Sequence, residues 1–269
     1  MKQPSLRRTG VSVIMVARRA SRRLEGQLKE AQRMACRKDV IVVCSPDDSR
    51  IHAAARRQGG TVVLADPHCS IGEKMTLGAA QAAENILLFL DDRACIPAKR
   101  LQRYIFPLVK GREIVLSKHV KRRTSLHGSV VQLLNHLAGK KQLGSGSLCE
   151  FPFAINRPVF EALDFAAFSP PEVHVRALIQ DCSFGTVRVR KTAPLQRQRI
   201  RLAGLSEKKE TAGRFTADLV WRDQAKAIVL LLQEKGVRGG FGDGDRCRSL
   251  LLVPGRDHFR AVYHTFKDV

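Results

Sequence analysis

The sequence contains few aromatic residues and no regular pattern of cysteine or histidine. Aromatic side chains make up 6% of its 269 residues, with one Trp and two Tyr, which is few for stacking single-stranded bases. The seven cysteines are scattered and include no C-x-x-C pair, so neither a disulfide framework nor a zinc site is expected. The eight histidines lack the H-x-x-x-H and H-E-x-x-H spacings, so they do not predict a metal site either.

Acidic residues and long apolar runs are also scarce. The chain has 47 Lys and Arg against 25 Asp and Glu, a net charge of +22, and such a field attracts nucleic acid, an anionic membrane or phosphate-bearing substrates. The apolar run at 11–17 ends at Arg18 and Arg19, unlike a secretory signal peptide. No run approaches the roughly 20 residues of a membrane span. We therefore expect a cytoplasmic protein, either free or peripheral at the inner face of the membrane.

Apolar runs alternate with helical patterns through the first 117 residues. The runs predict five buried strands, at 11–16, 39–44, 61–64, 86–90 and 113–117. Helices are predicted between them, among them an Ala-rich helix that ends at residue 85, just before the fourth strand. This alternation indicates βαβ units and an α/β fold around a mostly parallel sheet.

Beyond residue 117 the alternation is less regular. A Gly/Ser-rich loop at 139–147 is of the kind that can close over a ligand. The remaining predicted elements are strands at 151–155, 186–189 and 250–253, helices at 129–137, 158–163, 172–179 and 215–235, and a glycine-rich connector at 236–245.

Two carboxylates directly follow the most apolar strand. Five apolar residues at 86–90 lead into Asp91, Asp92 and Arg93. Ligands of open α/β sheets bind beyond the carboxyl ends of the strands, and acids placed there can hold a divalent cation that in turn holds a diphosphate. Asp91 and Asp92 could equally cap the helix that follows. This stretch alone leaves both interpretations open.

The order of motifs resembles the family 2 glycosyltransferases, which have the GT-A fold. The matching parts are the first strand at 11–16, the acidic turn at 45–49, Gly72-Glu73-Lys74 at the start of an Ala-rich helix, and the strand that ends in Asp91-Asp92. The resemblance spans about residues 11–189. It implies a Rossmann-like sheet, a nucleotide-sugar donor and an acceptor bound by a smaller subregion.

The resemblance also implies a division of the chain. A nucleotide-sugar-binding half would occupy 11–117 and an acceptor-binding half 118–200. A basic arm at 1–10 precedes them, and a helical C-terminal extension at 201–269 has no counterpart in the resemblance.

In that family the acidic turn after the second strand holds the nucleoside, which points to Asp47 and Asp48. The family carries its acid directly at the strand end, where this chain has Cys44-Ser45. Helix capping explains Asp47 and Asp48 equally well. A basic residue near Lys74 lies by the diphosphate in the family, and a cation there would clamp phosphate. A solvated surface role for Lys74 is the alternative on so basic a chain.

The D-x-D signature of the family is altered in this chain. Asp91 matches its first position, but Arg93 stands where the metal-binding carboxylate is expected. Asp92 could bind Mn²⁺ or Mg²⁺ together with Asp91 in a shifted geometry and so serve catalysis. Arg93 could instead neutralise the diphosphate and make the metal unnecessary. The sequence leaves both options open.

Glu172 is the candidate general base. It lies in a stretch that resembles the one where inverting members carry their catalytic carboxylate, although the family shows Glu-Asp and this chain has Pro171-Glu172. An inverting transfer needs a base beside the acceptor hydroxyl. An acid near a helix N-terminus also stabilises the helix, so Glu172 has a structural alternative.

The sequence as a whole predicts a glycosyltransferase that uses a nucleotide-diphospho-sugar, in the manner of bacterial cell-envelope glycan synthesis. The basic segments at 118–123 and 188–201 flank the acceptor half and would dock an anionic or membrane-associated, lipid-linked acceptor. Two alternatives stay open. One is a catalytically inactive GT-A-fold binding protein. The other is a basic nucleic-acid-binding protein, against which stand the few aromatics and the absence of a recognised motif.

Overall fold

The computed structural model describes residue 6 and residues 9–119, 126–189 and 209–236. The strands are β1 (Gly10–Val16), β2 (Arg37–Cys44), β3 (Thr61–Leu64), β4 (Ile86–Asp91), β5 (Ile114–His119), β6 (Phe153–Asn156) and β7 (Phe184–Val189). The helices are α1 (Arg22–Gln32), α2 (Ser49–Arg57), α3 (Ile71–Ala80), α4 (Ala98–Val109), α5 (Leu126–Leu137), α6 (Arg157–Leu163), α7 (Pro170–Ile179) and α8 (Lys209–Lys235).

The strands form one sheet in the order β3-β2-β1-β4-β6-β5-β7. Strand β6 pairs antiparallel with both of its neighbours, β4 and β5, whereas the other pairings are parallel. Six strands therefore run in one direction and end at the same edge. The predicted α/β class with a mostly parallel sheet is confirmed. The reversed strand β6 was not predicted.

Helices cover both faces of the sheet. One apolar layer lies between the sheet and helices α1, α2 and α4, and includes Leu24, Leu28, Ile51, Leu101 and Tyr104. The other lies under α3, α6 and α7, and includes Met75, Ala79, Phe160, Leu163 and Val173. Strand side chains alternate between the two layers because successive residues point to opposite faces.

Helix α8 adds a smaller apolar cluster outside the sheet. Ala227 and Leu231 of α8 are buried against Leu134 of α5 and Val175 of α7. The predicted C-terminal helix therefore exists, starts at Lys209 rather than at residue 215, and packs on α5 and α7. In the described part of the chain no helix is long and apolar enough to cross a membrane.

Several predicted bounds were wrong. Helix α3 ends at Ala80 instead of residue 85, because the Arg157 guanidinium donates to the carbonyl oxygens of Ala79, Ala82 and Glu84 and holds the chain in a turn. Strand β5 continues to His119, where its last residues pair with β7.

The other predicted elements lie within a few residues of the observed bounds. Strand β6 begins at Phe153 rather than at residue 151, and helix α5 begins at Leu126 rather than at residue 129. The connector beyond residue 236 and the strand at 250–253 fall outside the described residues.

The start of α3 is in contact with the loop between α6 and α7. A methyl group added at Gly72 would overlap the carbonyl oxygen of Phe165 and lie 3.6 Å from that of Phe168. Glycine at this position therefore lets the helix meet a backbone that belongs to the predicted acceptor half. Together with the Arg157 hydrogen bonds, this contact attaches α3 to that half at both of its ends.

A buried polar network holds the Gly/Ser-rich loop. His174 is 1% exposed, and its Nε2 lies 2.9 Å from Oδ1 of Asn135. The Asn135 amide donates to the carbonyl oxygens of Gly144 (2.8 Å) and Gly146 (3.0 Å). Because the amide nitrogen donates, Oδ1 accepts, and His174 carries its proton on Nε2. These bonds fix the loop to α5 and α7.

Burial lowers the pKa of His174 to about 4. Protonation would place a second N–H on Nδ1, which has no hydrogen-bond partner. The unfolded chain takes up this proton near its ordinary pKa of 6.5. Stability is therefore full above that pH and declines as the pH falls.

We expect Gly72→Ala to lower the free energy of unfolding by about 1–3 kcal/mol, the usual range for overpacking. The added methyl group would overlap the backbone of Phe165, and backbone cannot yield as a flexible side chain does. Gly26→Ala in α1 is the matched control, because its methyl group would meet only the side chain of Cys95, with the Sγ at 3.1 Å and the Cβ at 3.9 Å. Urea denaturation of both variants measures the difference. Equal effects at the two positions would contradict the contact.

We also expect His174→Gln to change how stability depends on pH. Between pH 7 and pH 5 the wild type should lose about 2 kcal/mol more than the variant, since only the wild type has a neutral imidazole that resists protonation. Urea denaturation at several pH values gives the two curves. His68→Gln, at an exposed position, should follow the wild type. Parallel curves for wild type and His174→Gln would disprove this explanation.

Candidate functional site

A cavity of about 410 Å³ opens beyond the carboxyl ends of β1 and β2. Helices α2 and α3 and the loop before α3 form its other walls. Its lining residues are Val16, Ala17, Arg18, Ser45, Asp48, Ile51, Pro67, Cys69, Ile71 and Lys74. Its position is the one where open α/β sheets bind their ligands.

Asp48 is the acidic residue of the predicted nucleoside turn that reaches this cavity. It is also the N-cap of α2, where its Oδ1 accepts a hydrogen bond of 3.2 Å from the backbone N–H of Ile51. Asp47 is exposed and is not among the lining residues. At the end of β2, burial raises the pKa of the Cys44 thiol to about 11, and the nearby charge of Asp48 adds to the rise. Cys44 is thus a neutral packing group.

Lys74 lies on the opposite wall, near the start of α3. Its Nζ donates to the carbonyl oxygen of Pro67 at 3.3 Å. Ser70 and Glu73 form a capping box that begins the helix, with hydrogen bonds of 3.1 Å and 2.6 Å. The ammonium group and the positive end of the helix dipole therefore favour an anion in the cavity.

Asp91 and Arg93 form an ion pair at the end of β4. The Arg93 Nε donates to Asp91 Oδ2, and the Arg93 backbone N–H donates to Oδ1 at 3.2 Å. The Asp91 side chain is 14% exposed and the Arg93 side chain 64%. Because Asp91 pairs in register with Val16 of the cavity wall, this ion pair lies beside the cavity.

Asp92 is bound to the loop after β1. Its Oδ2 accepts hydrogen bonds from the backbone N–H groups of Arg18 (2.9 Å) and Arg19 (3.0 Å). Arg18 also lines the cavity. Sequence reasoning missed Arg18 as a site residue, although its place directly after the first strand was a usable signal.

The end of β4 does not fit a divalent cation as its side chains are arranged. Both oxygens of Asp91 accept from Arg93, and Asp92 accepts from two backbone amides. Among the described residues, no group of three or more His, Cys, Asp or Glu side chains could hold a metal ion. A cation would therefore have to displace protein donors and lie next to a guanidinium.

Glu172 lies at the N-terminus of α7, where it caps the helix. Its Oε2 accepts from the backbone N–H of Ser169 (3.1 Å) and from the Ser169 hydroxyl (2.5 Å). Phe168, one residue before this cap, is near Gly72 of α3. The start of α7 is thus close to the helix that carries Lys74, but Glu172 is not among the residues that line the cavity.

A second carboxylate from α8 lies near Glu172 and was not anticipated from the sequence. Burial raises the pKa of Asp223 above its usual value, and the charge of Glu172 adds to the rise against the opposing effect of Lys226. No sequence signal connected Asp223 with Glu172, because α8 lies beyond the span of the resemblance.

The fold is similar to that of solved glycosyltransferases. No protein-family model matches the chain, and no curated protein sequence matches it either. Glucosyl-3-phosphoglycerate synthase from Mycobacterium tuberculosis, in complex with Mn²⁺, UDP and phosphoglyceric acid, superposes with a TM-score of 0.61. The sequences are 17% identical, over 88% of this chain and 80% of that one.

Mannosyl-3-phosphoglycerate synthase from Rubrobacter xylanophilus is similar to the same extent. Its TM-score is 0.58 at 12% identity, over 87% of this chain and 77% of that one. The M. tuberculosis enzyme is also described with Mg²⁺ and UDP. Both enzymes have the GT-A fold, whereas the assignment to family 2 stays a prediction. The seven-stranded sheet, its reversed strand and its edge cavity belong to a divergent chain with the GT-A glycosyltransferase fold.

Proposed function

We propose that the protein is a glycosyltransferase that moves a sugar from a nucleotide-diphospho-sugar to an anionic acceptor. The observation that carries this proposal is the cavity beyond β1 and β2, which brings Asp48, Lys74 and Arg18 together. The Asp91–Arg93 pair lies directly beside it, through the register of β1 with β4. An acid to bind a nucleoside and several cations to bind a diphosphate are what such a donor requires.

In this proposal each residue has its own role in binding the nucleotide-sugar. Asp48, with Asp47 next to it on the same turn, accepts hydrogen bonds from the nucleoside. Lys74 and Arg93 bind the diphosphate from two sides. They stabilise the charge that develops on the leaving nucleotide as the bond to the sugar breaks. Asp91 and Asp92 hold Arg93 and the β1 loop in place, and in this proposal they also bind the ribose.

Two basic segments support an anionic acceptor. Strands β5 and β7 are neighbours, and Lys118 pairs with Arg188 in their register. Both strands end at the sheet edge that carries the cavity, so Lys118 and Arg188 lie side by side near that edge. Residues 120–125 and 190–208 lie outside the described part of the chain. The positive charges of Lys118 and Arg188 at this edge favour an anionic ligand.

A small phosphorylated acid is the acceptor class we favour. The similar solved enzymes act on phosphoglycerate, and the charge at the ends of β5 and β7 suits such a molecule. A lipid-linked acceptor at the inner membrane face, and with it a role in cell-envelope glycan synthesis, stays a prediction. The basic segments would serve it in the same way.

Glu172 is the proposed base of an inverting transfer. In that mechanism a carboxylate takes the proton of the acceptor hydroxyl while its oxygen forms the bond to C1, and the nucleotide diphosphate departs from the opposite face. What supports Glu172 is the contact of the preceding loop with Gly72, which brings the start of α7 close to the Lys74 helix. Its hydrogen bonds to Ser169 supply the structural alternative.

We expect one nucleoside diphosphate to bind and to need Lys74. UDP, GDP and dTDP, together with CMP, would be compared by isothermal titration calorimetry and thermal shift. Because a lost charge-assisted phosphate contact costs about 1.5–3 kcal/mol, Lys74→Met should weaken binding about 10- to 100-fold. Lys29→Met, at an exposed position on α1, should bind like the wild type.

Other results of this titration would overturn the proposed function. If none of the nucleotides binds while DNA or RNA does, the protein is a nucleic-acid-binding protein, as its positive net charge alone would indicate. If a nucleotide-sugar binds but is not consumed with any phosphorylated acid or lipid-linked acceptor, the protein is a catalytically inactive member of the fold. Product detection by mass spectrometry separates these results.

We expect Glu172→Gln to lower the turnover rate by about 10²–10⁴-fold, the usual effect of a general base. Glutamine keeps an acceptor at the third helical position and so preserves the capping box. The melting temperature should therefore change little. Full activity in the variant would show that Glu172 only caps α7, and a product whose anomeric configuration by NMR equals that of the donor would exclude the inverting transfer.

A further inference from the structure

The third position of the altered D-x-D signature holds a cation in place of a carboxylate. Arg93 is bound through both its backbone N–H and its Nε to the first acid, Asp91. The carboxylate that would attract a metal ion is thus already neutralised by a residue two positions along the chain. The Asp91 side chain is mostly buried, whereas the Arg93 side chain that pairs with it is 64% exposed.

The second acid is also engaged. Two backbone N–H groups, of Arg18 and Arg19, donate to Asp92. The same loop is attached further by the Arg23 side chain, whose Nη1 donates to the carbonyl oxygen of Arg93 at 3.4 Å. The acids therefore hold the loop and the guanidinium in place. They are not arranged as a pair of ligands around an ion.

The guanidinium of Arg93 is held at one edge and exposed to solvent. Asp91 holds its Nε, while 64% of the side chain stays exposed beside the cavity. A guanidinium whose inner edge is fixed presents its outer N–H groups as a planar fork, which matches the geometry of phosphate oxygens. Lys74 supplies a second cation from the α3 wall.

We propose that Arg93 takes the place of the divalent cation, so that this protein binds its nucleotide donor without metal. The proposal rests on the proposed function, because it concerns how the same site neutralises the donor diphosphate. Fixed positive charge on Arg93, Lys74 and the α3 N-terminus does the work that Mn²⁺ or Mg²⁺ would otherwise do. The acids at the end of β4 become positioning residues for Arg93 and the β1 loop.

The test measures binding of the nucleoside diphosphate that the titration above identifies, in EDTA and in Mn²⁺. We expect the wild type to bind with the same affinity, within about threefold, in both buffers. Arg93→Ala should weaken binding in EDTA at least about tenfold, as the loss of a charge-assisted phosphate contact does. Circular dichroism of each variant checks that it is folded.

Arg93→Asp provides the sharper variant, because it restores the D-x-D frame at 91–93. Its binding should be lost in EDTA and recovered in Mn²⁺, which a merely structural role of Arg93 would not produce. Arg103→Asp carries the same change of charge on the exposed side of α4 and should behave like the wild type in both buffers.

The outcomes separate this proposal from the one it rests on. Wild-type binding that requires Mn²⁺ would overturn the metal-free site and leave the glycosyltransferase proposal standing. Unchanged affinity of Arg93→Ala in EDTA would overturn it in the same way. If the nucleotide binds neither in EDTA nor in Mn²⁺, both proposals are overturned together.

Discussion

The pairing of β6 between β4 and β5 is the constraint on which the rest of the structure depends. It joins strands of the predicted donor half to the last two strands of the sheet and sets them in a common direction. Stacked phenylalanines reinforce the join: the Phe89 ring of β4 lies 5.0 Å from that of Phe153 in β6 and 5.1 Å from that of Phe160 in α6. Arg157, directly after β6, ties the same segment to the end of α3. The cavity and the ends of β5 and β7 share one edge because of this pairing.

Some of the positive charges at that edge of the sheet are held in defined positions by hydrogen bonds. The net charge of +22 would attract any polyanion. At the ends of β1 and β4, however, Asp91 and Asp92 are matched to particular donors, so that Arg93 and the β1 loop have defined positions. Fixed charges lose little entropy when a phosphate arrives, and this distinguishes a specific diphosphate site from a generally basic surface.

The sequence predicted the positions of the strands and helices better than the tertiary contacts that their residues make. The strand at 86–90 was readable because five apolar residues in a row fit a strand buried on both faces, and Asp91, Asp92 and Arg93 followed from adjacency. The bonds of Asp92 to Arg18 and Arg19 depend on the register of strands more than 70 residues apart, which local patterns do not contain. Tertiary contacts also ended α3 early, through Arg157, and reversed β6. Asp223 beside Glu172 lay on a helix that the resemblance did not cover.

Helix α3 connects the two predicted binding halves of the chain. Its first turn is in contact with the loop before α7 at Gly72, and its end is held by Arg157 at the start of α6. These contacts tie the position of Lys74 to the loop before α7 and to the start of α6, so a displacement of either segment would also shift Lys74 in the cavity wall.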